Sequence, residues 1–124
     1  MSDTVDIIRE NYQRVLAQIA DAARKSARNP EKVRLVVVTK TQPLEIVKAA
    51  IEAGVHILGE NYPEEGVTKI QSLPVQSGVE WHMIGHVQSR KARLVVDHFA
   101  LLHSLDSLKL ARRLDRFAAE GDRV

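Results

Sequence analysis

The sequence predicts an α/β fold in which one leading helix is followed by four strand–helix units. Three observations carry that expectation. Short apolar, β-branched runs recur along the chain, amphipathic segments at helical spacing separate them, and Gly, Pro, Asn or Ser mark the junctions. Such regular alternation implies a parallel sheet with right-handed crossovers.

The leading helix is expected over residues 3–27, where Ile8, Tyr12, Val15, Leu16 and Ile19 fall at helical spacing. Arg28-Asn29-Pro30 should end it, because proline removes a donor and restricts its predecessor. The run at 33–39, Val-Arg-Leu-Val-Val-Val-Thr, reads as the first and most buried strand, covered on both faces. Pro43 then suits a first helical position, Glu45 the first turn and Gly54 the C-terminal cap. Leu44, Val47, Ala50 and Ile51 give that helix one apolar face.

Residues 55–58 read as the second strand, followed by a Gly59-Glu60-Asn61 turn. Asn61 and Glu64 have the spacing of a capping box, which predicts a helix with Val67 and Ile70 inward. After a loop at 74–78, residues 79–84 form the third strand. A helix follows over 89–97 with Ala92, Val95 and Val96 inward, and 100–103 is the fourth strand. Ser104 or Asp106 should cap a last helix whose apolar positions are Leu108, Ala111, Leu114 and Ala118.

Composition narrows the function classes. The 124 residues suffice for one ordinary domain over 1–124, and no internal boundary or repeat interrupts them. At 44% hydrophobic and 27% charged the chain is a folding, globular one. A net charge of +2 and 4% aromatics argue against a nucleic-acid surface. The basic clusters Arg90-Lys91-Ala92-Arg93 and Arg112-Arg113 read as solvated helix faces. The absence of cysteine excludes thiolate chemistry, and the polar N-terminal residues resemble neither a secretion signal nor a membrane span. A cytoplasmic protein is expected.

The pattern fits two architectures, a small open doubly wound sheet or half of a (β/α)8 barrel, which needs eight units in roughly 250 residues. In both, ligands gather at the C-terminal ends of the strands. That rim would carry Lys40, the Gly59–Asn61 turn, the Gly85-His86-Val87-Gln88 turn and Ser104.

Lys40 stands directly behind Val36-Val37-Val38-Thr39. An amine at such a strand end is either a solvated head or, if partly desolvated, a nucleophile for carbonyls. Gly59 would let a ligand approach the backbone, while capping alone explains Asn61. His82 and His86 have metal-like spacing, but they flank a strand-to-loop junction, with no H-E-x-x-H motif and no third ligand. No zinc is expected, and His82 is better suited to touch a ligand or orient a neighbour. Phosphate-loop and serine-elbow motifs are missing.

Three segments in order, Val36-Val-Val-Thr-Lys-Thr-Gln-Pro43, Gly59-Glu-Asn-Tyr62 with Glu65, and Trp81-His-Met-Ile-Gly-His-Val-Gln-Ser-Arg-Lys91, resemble the pyridoxal phosphate homeostasis proteins. His103-Ser-Leu-Asp106 resembles that family's fourth strand and turn. The resemblance implies the first half of a (β/α)8 barrel similar to the N-terminal domain of alanine racemases. It implies pyridoxal 5'-phosphate held as a Schiff base on Lys40, with Asn61 and His82 beside it, and a role in vitamin B6 and amino-acid homeostasis without established catalysis. Alternatives are a racemase- or aldolase-like Schiff-base enzyme using His82, or a half barrel that has lost its cofactor. By the same resemblance, the phosphate-binding loops and the arginine facing the pyridine nitrogen follow later strands. Open sheet edges lead to the further expectation of a homodimer that completes the half barrel.

Overall fold

A long helix, α1 (Ser2–Lys25), opens the chain, and the computed structural model describes residues 2–74 and 78–124. Its end does not depend on Pro30. Ala27 adopts a left-handed φ of 58°, Arg28 N–H reaches Ala23 O at 2.8 Å, and Ala27 N–H reaches Arg24 O at 3.1 Å. These paired bonds satisfy the last carbonyls in a Schellman arrangement. Asn29 and Pro30 instead begin a short 3-10 turn, Pro30–Lys32, in which the Asn29 side chain accepts from Glu31 N–H.

The first strand, β1, is only Val37–Val38, and Thr39 N–H adds one ladder bond to Gly59 O at 2.9 Å. The expectation of a strand buried on both faces is corrected here. Val38 is 48% exposed, because β1 has one strand neighbour and one face that no helix covers, and Val33, 42% exposed, precedes the strand at the end of the 3-10 turn. The buried strand is β2 (Ile57–Glu60), all four residues of which are shielded from solvent. It starts two residues later than expected, so Gly59 and Glu60 belong to the strand and not to a turn.

Between them lies α2 (Leu44–Glu52), with Pro43 at its N-cap and not in its first turn. Val47 and Ala50 pack toward Leu58, whereas Ala49 and Ala53 pack against Val5 and Ile8 of α1. Gly54 leaves the helix at a positive φ of 103°, as the spacing predicts. The next helix, α3 (Pro63–Ser72), has Tyr62 at its N-cap and Pro63 in its first turn. Asn61 therefore lies one residue before the cap, and the expected capping box does not form. The loop expected at 74–78 falls largely outside the described residues.

β3 (Glu80–Met83), a 3-10 turn at Ser89–Lys91, α4 (Ala92–His98) and β4 (Leu101–Leu102) follow in the expected order. The last helix, α5 (Leu108–Glu120), is capped by Ser107, whose side chain accepts from Leu110 N–H at 3.1 Å. Ser104 and Asp106, the expected caps, are engaged elsewhere, with Gly85 O and His86. The inward stripe of α5 is Leu110, Leu114 and Phe117. Leu108, expected inward, is 64% exposed.

The four strands are parallel and stand in the order β1-β2-β3-β4. A doubly wound sheet reverses its order at a switch point. Unbroken sequential order is instead the winding of a barrel wall, with the helices on one side. The helix-covered face holds two apolar clusters. Val47, Ala50, Val55 and Leu58 form one, and Val67, Met83, Val87, Ala92, Val95, Phe99 and Leu110 form the other. Trp81 packs against both. No described helix is long and apolar enough to cross a membrane.

Leu110 is 1% exposed, so Leu110→Ala should lose about 2–5 kcal/mol of stability in urea unfolding. Leu108→Ala should change it by less than about 0.5 kcal/mol. Equal losses would contradict the position of the inward stripe.

Candidate functional site

Strand register arranges the uncovered face into rows. Val38, Gly59, His82 and Leu101 are aligned across the four strands. Alternation puts Lys40, Asn61, Ile84 and His103 one row nearer the C-terminal rim. Lys40 and Asn61 thus share the rim that the strand-end rule predicts, and His82 lies on the same face one row below them.

Lys40 is exposed and is the first residue beyond the ladder. The chain turns immediately after it. Thr41 takes a left-handed φ of 62°, its hydroxyl donates to Lys40 O at 2.6 Å, and Gln42 N–H reaches Thr39 O at 3.1 Å. A β-branched residue rarely adopts this conformation, so something outside the turn must hold it.

The support comes from α3. Glu65 accepts the Thr41 N–H at 2.9 Å. Lys69, buried on the inner side of the helix, donates to Thr39 O at 2.7 Å, to both Glu60 oxygens at 3.1 and 3.0 Å, and to Glu65 at 3.0 Å. Thr39 also donates its hydroxyl to Glu60. Burial pushes the Glu65 carboxyl up, but the hydrogen bonds from Lys69 and Thr41 and the Lys69 charge outweigh it. Its pKa therefore lies below the ordinary value. The sequence places Glu60 only within the Gly59–Asn61 turn, with no role, and does not single out Lys69. The available signal was Lys69 sitting between inward Val67 and Ile70, four residues after Glu65.

Asn61, half-buried, is fixed through its backbone. A Cβ on Gly85 would lie 2.1 Å from Asn61 O, so the loops after β2 and β3 touch at a contact only glycine allows. Gly59 has a different use from the expected one. A Cβ there would sit 2.8 Å from a Val36 methyl, so its space belongs to packing across the uncovered face and not to a ligand.

His82 is only 2% exposed, and both ring nitrogens are engaged. Nε2 lies 3.0 Å from Glu80 Oε2 and Nδ1 lies 3.0 Å from His103 Nε2. Arg34 completes the line, 2.5 Å from the same Glu80 oxygen. Hydrogen bonding from His82 and then Arg34 holds the Glu80 carboxyl below its ordinary range. An ionised Glu80 only accepts, so His82 carries its proton on Nε2. In the neutral ring, Nδ1 then accepts from His103. His82 thus orients a neighbour, and the exposed ring at the rim is His103, which the sequence reading placed only in a strand.

His86 pairs separately with Asp106 at 3.1 Å. Among the described residues no group of three or more His, Asp or Glu is arranged to hold a metal ion. Of the basic cluster, Lys91 pairs with Glu64, and Arg93 lies 2.9 Å from Glu120.

Fold and rim together define the class: one half of a (β/α)8 barrel wall with a lysine just past its first strand. No family model matches the chain. Its sequence is homologous to the N-terminal half of the pyridoxal phosphate homeostasis proteins. It is 45% identical to the Escherichia coli K12 protein over 111 residues, covering 87% of this chain and 47% of that one. It is 42% identical to the Pseudomonas aeruginosa protein over 114 residues, covering 92% and 49%. The chain therefore spans about half the length of the curated relatives it matches. Among solved structures, PipY of Synechococcus elongatus with pyridoxal phosphate bound is 38% identical. It aligns with a TM-score of 0.68 over 87% of this chain and 50% of its own. A Bifidobacterium adolescentis protein described as unknown aligns at 30% identity and a TM-score of 0.80, over 98% and 53%.

The depressed Glu80 pKa has a pH consequence. Its contribution to stability is present above the ordinary carboxyl value of 4.5 and is lost as pH falls through the lowered value. Stability measured by denaturant unfolding should fall as pH drops below 4.5, and Glu80→Gln should flatten that fall. An identical acid limb in the variant would contradict the His82–Glu80–Arg34 assignment.

Proposed function

We propose that the chain binds pyridoxal 5'-phosphate through Lys40, as a Schiff base, and serves vitamin B6 and amino-acid homeostasis without catalysing turnover. The observation that carries this reading is the setting of Lys40. It is an exposed amine on the rim, with the backbone on both sides of it tied to α3. A relative of known structure, PipY, binds the same cofactor.

The donor set suits such a group. Lys40 offers a primary amine, Asn61 an amide with no helix to cap, and His103 an imidazole supported from behind by His82. When bound, pyridoxal phosphate supplies an aldehyde that condenses with an amine and releases water. On the protein side, Lys40 supplies that amine, Asn61 lines the neighbouring loop, and His82 keeps His103 in one orientation. A racemase- or aldolase-like activity would need a free acid/base group at the reacting atoms. His82, the residue the sequence offered for that task, has both nitrogens occupied.

The proposal extends to assembly. Among the described strands, β1 and β4 each have one neighbour. Val38 and Leu101 expose nearly half their surface on the uncovered face. Two copies meeting over this face would cover both.

Adding pyridoxal phosphate should give a visible absorption band that borohydride fixes onto Lys40, located by peptide mass spectrometry. Lys40→Ala should lose the trapped adduct, and labelling equal to the parent would refute the assignment. Light scattering should give the mass of two copies, and Leu101→Asp should shift it toward one. A folded, monodisperse monomer in the parent would rule out the dimer.

A further inference from the structure

We infer that Glu60, Lys69 and Glu65 are positioning residues that set the reactive geometry of the Lys40 turn. The inference rests on the reading of Lys40 as the cofactor anchor. It goes beyond it by assigning the machinery that holds the anchor.

Two lysines meet at this end of the sheet, and their surroundings divide the work between them. Lys69 is 6% exposed. Its ammonium has three hydrogens, and Thr39 O, the Glu60 carboxylate and Glu65 Oε1 supply an acceptor for each. An amine so engaged cannot attack a carbonyl without first breaking a buried ion pair. Lys40 is exposed, so its amine remains available. Lys69 is therefore a structural cation behind the anchor.

The contacts fall on both flanks of Lys40. On the N-terminal side, Lys69 holds the Thr39 carbonyl while Glu60 accepts the Thr39 hydroxyl. On the C-terminal side, Glu65 holds the Thr41 N–H. Because Lys69 also binds Glu65, the two flanks are joined through one side chain. Lys40 is left as the free residue between two fixed ones, and the left-handed Thr41 fixes where the chain leaves the strand. A reacting group gains from such restraint because misplacement by an ångström can cost a large factor in rate.

The test uses the purified chain with two probes, pyridoxal phosphate and pyridoxal, which lacks the phosphate. Borohydride trapping at Lys40 is timed by peptide mass spectrometry. Amide exchange at Gln42, which bonds to Thr39 O and not to Glu65, reports closure of the turn. Glu65→Ala should slow trapping by about tenfold with both probes and speed Gln42 exchange. Glu65→Gln, which keeps an acceptor for Thr41 N–H, should restore most of both. Lys69→Met should do the same damage as Glu65→Ala or more. Val95→Ala, in the second apolar cluster, should lower the melting temperature without changing the trapping rate.

If Lys69→Met fails to fold, the half-exposed Glu65 still decides the matter. Trapping and Gln42 exchange at parental values in folded Glu65→Ala would overturn the inference. A parent chain that traps neither probe at Lys40 would overturn the anchor assignment. The clamp on the turn would then stand or fall on the exchange result alone.

Discussion

The Lys69–Glu60 ion pair is the constraint on which the rim depends. Both side chains are almost removed from solvent, and desolvating two charges costs several kcal/mol for each ion. Their attraction offsets that cost only with good geometry and with every remaining donor satisfied. Here all three Lys69 hydrogens have acceptors, and no buried side-chain polar atom among the described residues lacks a partner. Removing either partner alone would leave a buried charge, a loss of about 3–5 kcal/mol. The pair thus joins the ends of β1 and β2 to α3 in a single arrangement, and the chain has little freedom to slide there.

The opposite face of the sheet follows a different rule. Its polar groups form a line from Arg34 through Glu80 and His82 to His103, in which Glu80 accepts from both Arg34 and His82, and the His82 ring bridges Glu80 to His103. This line crosses from the base of the sheet to its rim. It lies among apolar residues that stay exposed, such as Val38 and Leu101. In a closed barrel, inward residues stack in layers and fill the interior. A polar line whose Glu80–His82 centre is already paired within one half can enter such an interior with only its exposed ends, Arg34 and His103, left to meet the other half. The same property fits an approach by a second copy, so the line is compatible with either way of covering this face.

Much of the fold was legible because helix and strand periodicity is a local property. Val47, Ala50, Val67 and Val95 were identified as inward from spacing alone, and they are buried. The misses share a physical cause. Strand 33–39 read as buried because composition reports hydrophobicity but not whether a neighbouring strand exists. Leu108 reads as inward because Leu108, Ala111 and Leu114 recur at helical spacing as well as Leu110, Leu114 and Phe117 do, and only packing against α4 and β3 selects the second stripe. At the site, Lys40 and Asn61 fall on one rim because strand ends can be counted, with His82 one row below them. The Glu60–Lys69 pairing was hidden, since it joins residues of two elements, and the spacing of Lys69 behind Glu65 does not reveal a partner on β2. His103 was hidden for the same reason, its partner being on another strand.

The turn after Lys40 illustrates how tertiary contacts override local preference. A threonine in the left-handed region costs about 1–2 kcal/mol relative to ordinary backbone. Within Thr39-Lys40-Thr41-Gln42 only the Thr41 hydroxyl and the Gln42 N–H support that conformation, and glycine or asparagine is the usual residue there. A hydrogen bond to a charged acceptor contributes about 1.5–3 kcal/mol, so the Glu65 contact alone is of the size needed to offset the strain. Glu65 in turn is held by Lys69, and Lys69 by Glu60. The conformation of residue 41 is therefore held by Glu65 of α3, which the buried Lys69–Glu60 pair supports from behind the turn.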